Sequence, residues 1–114
     1  MKKDFRIYIN QILEAICEIE EFTKDLTYKD FSRNKMAIKA VSMNLILIGE
    51  NVKLLPVEIK QKHRQIPWSR MKSARDFVAH EYPKIEFKDM WETANFELPP
   101  IKVQLQKILE ERIE

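Results

Sequence analysis

At 114 residues the chain can bury one substantial core and has no room for a second, so one domain over residues 1–114 is expected. With 45% hydrophobic and 33% charged residues it is excluded from the disordered class. Apolar runs such as Leu45-Ile46-Leu47-Ile48 fall far short of a bilayer span. The net charge of +2 conceals an uneven layout: residues 53–75 carry seven basic side chains against Glu58 alone, and residues 76–114 carry five against nine acidic ones.

The start, Met-Lys-Lys-Asp-Phe-Arg, soon reaches Glu14 and Glu18, so no signal-peptide apolar region is expected. Cys17 is the single cysteine; it rules out an internal disulfide and fits a reducing cytoplasm. On a helix it reads as a small core residue.

One glycine in 114 residues and five prolines at plausible boundaries predict helices with short joints, an all-α antiparallel bundle with two long helices at its heart. Asp4 can cap a first helix running to about Leu26. Its stripe of Phe5, Ile9, Ile12, Ile16, Ile19, Thr23 and Leu26 steps by four and three, as a packed helix face does. A polar joint near Tyr28–Arg33 leads to a second long helix, roughly 33–55.

That second helix is apolar on two sides. Ala37, Val41, Leu45, Ile48, Val52 and Leu55 form one stripe, with Asn44 beside it; Met36, Ala40, Met43 and Leu47 form the other. One side can pack on the first helix, and the other predicts a partner chain, most simply a twofold homodimer. Gly49 costs helical stability and suggests close approach of another helix. Glu50 reads as a surface carboxylate.

Pro56 opens a short helix through about His63. After the Ile66-Pro67-Trp68 joint, a motif helix begins at Trp68 or Ser69 and should end at Tyr82, because Pro83 disfavours helical backbone before it. Phe87 to about Asn95 forms another short helix with Met90 and Trp91 inward. Pro99-Pro100 begins the last, with Ile101, Leu105, Ile108 and Leu109 facing the core.

The chemistry concentrates in Arg75-Asp-Phe-Val-Ala-His80-Glu-Tyr82. Arginine is a permanent planar cation matched to phosphate, and histidine exchanges protons near neutrality. At about 100° per residue, Arg75 and Tyr82 fall within about 20° of each other, while His80 sits about 140° from Arg75. Arg75 and His80 converge only if the arginine bends across, the last turn loosens, or a second copy supplies the complement. Asp76 stands one turn before His80, a spacing that allows it to orient the imidazole.

RNA cleavage by its own 2′-hydroxyl needs one proton removed, one donated, and cations on the crowded phosphate. One histidine cannot do both proton tasks in a concerted step. Two copies across a twofold axis supply two histidines and two arginines without a metal. The basic run Lys53, Lys60, Lys62, Arg64, Arg70, Lys72 and Arg75 leads into the motif; Arg70 and Lys72 are candidates to hold RNA, although a solvated face accounts equally for the run.

The chain resembles the HepT-like toxins, a branch of the HEPN-domain ribonucleases, over nearly its whole length. Ala37-Ile38 and Ile48-Gly49-Glu50 match the family's second helix. Ile66-Pro67-Trp68 matches its joint, Arg75, His80 and Tyr82 its Arg-x-x-x-x-His-x-Tyr motif, and Trp91 the tryptophan of the next helix. The resemblance implies a HEPN-type bundle and a homodimeric, metal-independent endoribonuclease without cofactors. It implies a partner, a minimal nucleotidyltransferase antitoxin, which silences the toxin by adding AMP to the tyrosine that is Tyr82 here. Asp76 stands where the family often has asparagine, which retunes His80 without removing the site.

A different reading is a catalytically silent module that binds nucleotide or presents substrate to the nucleotidyltransferase; a third is a plain helical interaction protein. An intact Arg75/His80/Tyr82 set favours the ribonuclease. His63, in a basic run, is expected to be solvent-exposed, and its neighbours do not form a metal-site spacing. Trp68 and Trp91 are expected in the core or an interface and not as base-stacking platforms; Trp68, beside the basic run, is the one that could stack. Tyr8 and Tyr28 carry no signal.

Overall fold

The computed structural model describes residues 4–81 and 87–111, with the side chains of residues 75–81 outside the description. Helix α1 (Arg6–Thr23) is followed by α2 (Tyr28–Arg33), α3 (Lys35–Leu54) and α4 (Val57–Lys62). Then come α5 (Trp68–Glu81), α6 (Phe87–Glu92), a wide π-helical turn (Thr93–Glu97) and α7 (Leu98–Glu110). No strand forms among the described residues, as the all-α reading requires.

The stripe on α1 is the core it was expected to be. Ile9, Ile12, Ile16 and Ile19 are wholly buried, and each contributes about 1.5–3 kcal/mol of hydrophobic stabilisation. Asp4 Oδ1 accepts from Arg6 N–H at 3.0 Å, satisfying one orphan amide of the first turn. Cys17 lies one residue off the stripe and is exposed, against the expectation of a core residue.

Helix α3 is the axis of the molecule, with α1 packed on one side and α5 on another. Its first stripe is buried from Ala37 through Val41, Leu45, Ile48 and Val52 to Leu55, and Gly49 is buried with it. Its second stripe is not covered: Met36 is 84%, Met43 56% and Leu47 40% exposed. Leu54, at 58%, extends the same line, since eighteen residues make five full turns. Asn44 and Asn51 are buried at the seam between the two stripes, each donating Nδ2 to a carbonyl four residues earlier.

The segment expected as a polar joint, 28–33, is a helix. Thr27 Oγ1 accepts from Asp30 N–H at 3.1 Å while the Asp30 carboxylate accepts from Thr27 N–H at 3.2 Å. This reciprocal capping box starts α2 despite its polar surface, and Phe31 supplies the one wholly buried side chain that anchors it. Trp91 of α6 closes over that anchor, its ring 5.3 Å from Phe31 and 6.3 Å from Tyr28. Met90, buried beside it, meets Ser42 Oγ through its sulfur at 3.6 Å. Two neighbouring side chains therefore tie α6 to α2 and to α3.

Helix α7 starts one residue before Pro99-Pro100, which occupy its first turn where missing amides cost nothing. It packs on α1 through Leu98, Ile101, Leu105 and Ile108, and Lys102 Nζ meets Glu20 Oε1 at 2.9 Å. The hydrogen bond that Lys102 donates to that carboxylate raises its pKa above the ordinary lysine value.

Candidate active site

The motif helix is aimed by the joint before it. The His63 carbonyl accepts from Ile66 N–H at 3.1 Å and from Trp68 Nε1 at 3.0 Å. Ile66 and Trp68 are both buried, so the Ile-Pro-Trp joint is a plug that fixes where α5 begins. Trp68 is accordingly structural, and Trp91, half-buried against Phe31, is too. His63 is buried at 6% exposure, against the expectation from its charged neighbours, because the joint folds back over it. Its Nε2 lies 3.5 Å from Glu111 Oε2, and the same carboxylate oxygen lies 3.3 Å from Lys62 Nζ, tying the joint to the end of α7.

From that start α5 runs as continuous helix to Glu81 and packs on α3. Arg75, Asp76 and His80 all stand on it. Five residues separate Arg75 from His80, about 140° round the axis; Asp76 is one turn from His80. The side chains of Arg75, Asp76 and His80, and Tyr82 in its entirety, lie outside the described residues. Of the RNA-binding candidates on the preceding turn, Lys72 is exposed and Arg70 is exposed but ion-paired with Glu97 of the π-helical turn.

The basic run is therefore partly neutralised. Lys60 donates to the Val52 carbonyl at 3.1 Å, Lys62 faces Glu111 and Arg70 faces Glu97, which leaves Lys53, Arg64 and Lys72 exposed. Glu50 is half-buried and engaged, so it is not the free surface carboxylate its sequence context suggested. Among the described residues no three His, Cys, Asp or Glu side chains cluster to hold a metal ion, and no helix is long and apolar enough to cross a membrane.

The family model for HepT-like ribonucleases matches residues 12–108, from the first turns of α1 to the end of α7. The chain belongs to the HepT-like ribonuclease family. A relative from Methanocaldococcus jannaschii, provisionally described as an RNase, is 36% identical over 110 residues, covering 96% of this chain and 95% of its own length. A Thermococcus cleftensis protein provisionally described as ribonuclease HepT is 35% identical over 108 residues, 95% of this chain and 98% of its own. A second M. jannaschii protein, described as a gamma-glutamylcyclotransferase and provisionally an RNase, is 40% identical over 111 residues. That alignment takes in 97% of this chain but spans only half the length of that relative. No solved structure gives a significant match.

In this HepT-like chain two features flank the motif helix. On one side a cavity of about 690 Å³ separates the first turns of α5 from the π-helical turn and α7, with Leu45, Ile48, Met71 and Met90 among its lining residues and Arg70 and Glu97 bridging it. The other feature is the uncovered stripe of α3. Sequence reasoning missed Glu97 as the partner of Arg70 because nothing in spacing links residues 27 apart. The Thr27/Asp30 box, by contrast, was a readable helix start that the polar composition of 28–33 obscured.

Proposed function

We propose that this chain is the toxin of a type II toxin–antitoxin pair: a metal-independent endoribonuclease that cuts RNA in a cleft shared by two copies. The observation that carries this is the family match over residues 12–108, and the string Arg75-x-x-x-x-His80-x-Tyr82 falls within that range. Its setting is the cytoplasm, where RNA is the abundant polyanion.

In the reaction, a neutral His80 imidazole of one copy takes the proton of a 2′-hydroxyl. That oxygen attacks the adjacent phosphorus, the bond from phosphorus to the 5′ oxygen breaks, and the imidazolium of the other copy gives that oxygen its proton. The products are a 2′,3′-cyclic phosphate and a free 5′-hydroxyl. Arg75 from each copy balances the charge gathering on the non-bridging oxygens. Asp76, one turn away, sets the His80 ring; Arg70 and Lys72 draw in the RNA backbone.

The uncovered α3 stripe supports the paired arrangement. Met36, Met43, Leu47 and Leu54 form one straight apolar line, and exposed apolar surface of this kind marks an interaction face. A twofold axis through it buries the same line on both copies. Silencing follows if the antitoxin's bound ATP gives its adenylyl group to Tyr82: the phenolic oxygen attacks the α-phosphorus, pyrophosphate leaves, and the proton goes to solvent. The new phosphate charge beside His80 then repels RNA.

The test is to purify the chain without its nucleotidyltransferase and mix it with RNA in the presence of a chelator. Cleavage with cyclic-phosphate ends, lost in His80→Ala and in parent protein carrying an adenylate on Tyr82, is expected. A chain that leaves RNA uncut and is harmless when overexpressed would instead be the silent module.

A further inference from the structure

The junction of α2 and α3 holds a recess of about 330 Å³, lined by Ser32, Arg33, Lys35, Ile38, Lys39 and Phe87. Several cations elsewhere pair with carboxylates, Arg70 with Glu97, Lys62 with Glu111, Lys102 with Glu20 and Lys24 with Glu21, while Lys53, Arg64 and Lys72 of the basic run stand exposed one by one. Here Arg33, Lys35 and Lys39 are all exposed, and among the described residues none takes part in an ion pair. Asp30 is the acidic residue of α2; its carboxylate accepts from the Thr27 N–H of the capping box, and Arg33 acts on it only as a weaker, unbonded charge. The start of α3, a 20-residue helix, adds its positive end to the same place.

The sixth wall is aromatic, and it is held there. Phe87 opens α6 and lies one turn before Trp91, on the same helical face. Trp91 is fixed on Phe31 and Tyr28 of α2, and Met90 on Ser42 of α3, so α6 delivers Phe87 to the α2–α3 junction as part of a packed unit. Phe87 keeps 37% of its surface exposed there. Its partners account for its position; they leave unexplained its exposure beside three cations that form no ion pair among the described residues.

We propose that this recess is an RNA subsite of the cleavage reaction: Arg33, Lys35 and Lys39 hold backbone phosphates and the Phe87 ring stacks on a base. Three cations and a part-exposed ring around one recess suit a single-stranded polyanion that carries flat rings at regular intervals. Phe87 is six residues beyond Glu81, the last residue of α5, so the subsite lies within about 20 Å of the motif helix, a few nucleotides along one strand. The inference rests on the ribonuclease reading and extends it, because it places substrate contacts on α2, α3 and α6, outside the motif.

The experiment measures fluorescence anisotropy of a labelled single-stranded RNA binding to the full chain carrying His80→Ala, which prevents cutting, across a salt series. Arg33→Glu with Lys39→Glu should weaken binding at least about tenfold and flatten the plot of log affinity against log salt by about one to two units. Phe87→Leu, which keeps an apolar side chain at that position, should weaken binding about fivefold or more without changing that slope. Lys107→Glu, on the far end of α7, serves as the charge control, and circular dichroism verifies that each variant keeps its helices.

Unchanged affinity and slope in the double variant, or losses no larger than with Lys107→Glu, would overturn the subsite. If the double variant binds RNA normally but no longer retains the nucleotidyltransferase, the recess belongs to a protein partner and the inference fails. Cleavage by the unmodified parent separates the two levels. A parent that cuts RNA while the recess variants bind normally defeats the subsite alone; a parent that neither cuts nor binds RNA defeats the ribonuclease reading and the subsite with it.

Discussion

On the proposed mechanism, replacing His80 by alanine takes away the proton carrier of 2′-hydroxyl attack, and cleavage should fall by at least about a hundredfold with the fold intact. Arg75→Lys keeps the charge but loses the planar fork, so it should also cut slowly. If Tyr82 is the proposed adenylation site, Tyr82→Phe should behave differently, keeping cleavage while losing adenylate addition, so that cells carrying it lose protection by the nucleotidyltransferase. Intact-protein mass with a growth assay reads both effects. A residue-scale prediction independent of function concerns Thr27. Thr27→Ala removes one half of the capping box and should cost about 1 kcal/mol in a urea melt. The pH dependence follows from its partner. The Thr27 N–H holds the Asp30 carboxyl below its ordinary value of 3.8, so this contribution is fully present above that value. It is lost as pH falls through the lower folded value. Thr27→Ala keeps that N–H, so the variant that reads this linkage is Asp30→Ala, whose deficit relative to the parent should persist at neutral pH and narrow in strong acid.

At the scale of elements, α1 and α3 carry the stability. Ile16→Ala, deep in the α1 stripe, should lower unfolding free energy by about 2–5 kcal/mol. Met43→Glu on the open stripe of α3 should leave the helical content of each chain unchanged. These elements were legible because their apolar residues repeat every three or four positions, with Asp4 before α1 and Asn34 and Pro56 bracketing α3. What escaped the sequence depends on contacts between distant segments. Helix α2 is polar by composition and became visible only through its capping box and Phe31. His63 sits among Lys60, Lys62 and Arg64, a context that reads as solvent, yet the fold-back of Ile66 and Trp68 buries it. Cys17 shows the reverse: one residue off a strong stripe is enough to leave it exposed. The candidate site was legible as a motif on one helix, whereas the partial neutralisation of its basic approach was not. That depends on Glu97 and Glu111, far along the chain.

At the scale of the whole molecule, a line of methionine and leucine along α3 stands open, while the motif helix packs against the same α3. A single histidine cannot perform both proton transfers of the proposed reaction at once, so the proposed chemistry and the open face would both be met by a second copy. Single substitutions on the stripe should then impair catalysis without touching the motif. Light scattering coupled to an RNA cleavage assay measures this directly for the parent, for His80→Ala, and for Met43→Glu combined with Leu47→Glu. The account predicts a parent dimer that cuts, a His80→Ala dimer that does not, and a folded stripe variant that is monomeric and does not cut. A parent that is monomeric while cutting at full rate, or a monomeric stripe variant as active as the parent, would contradict it.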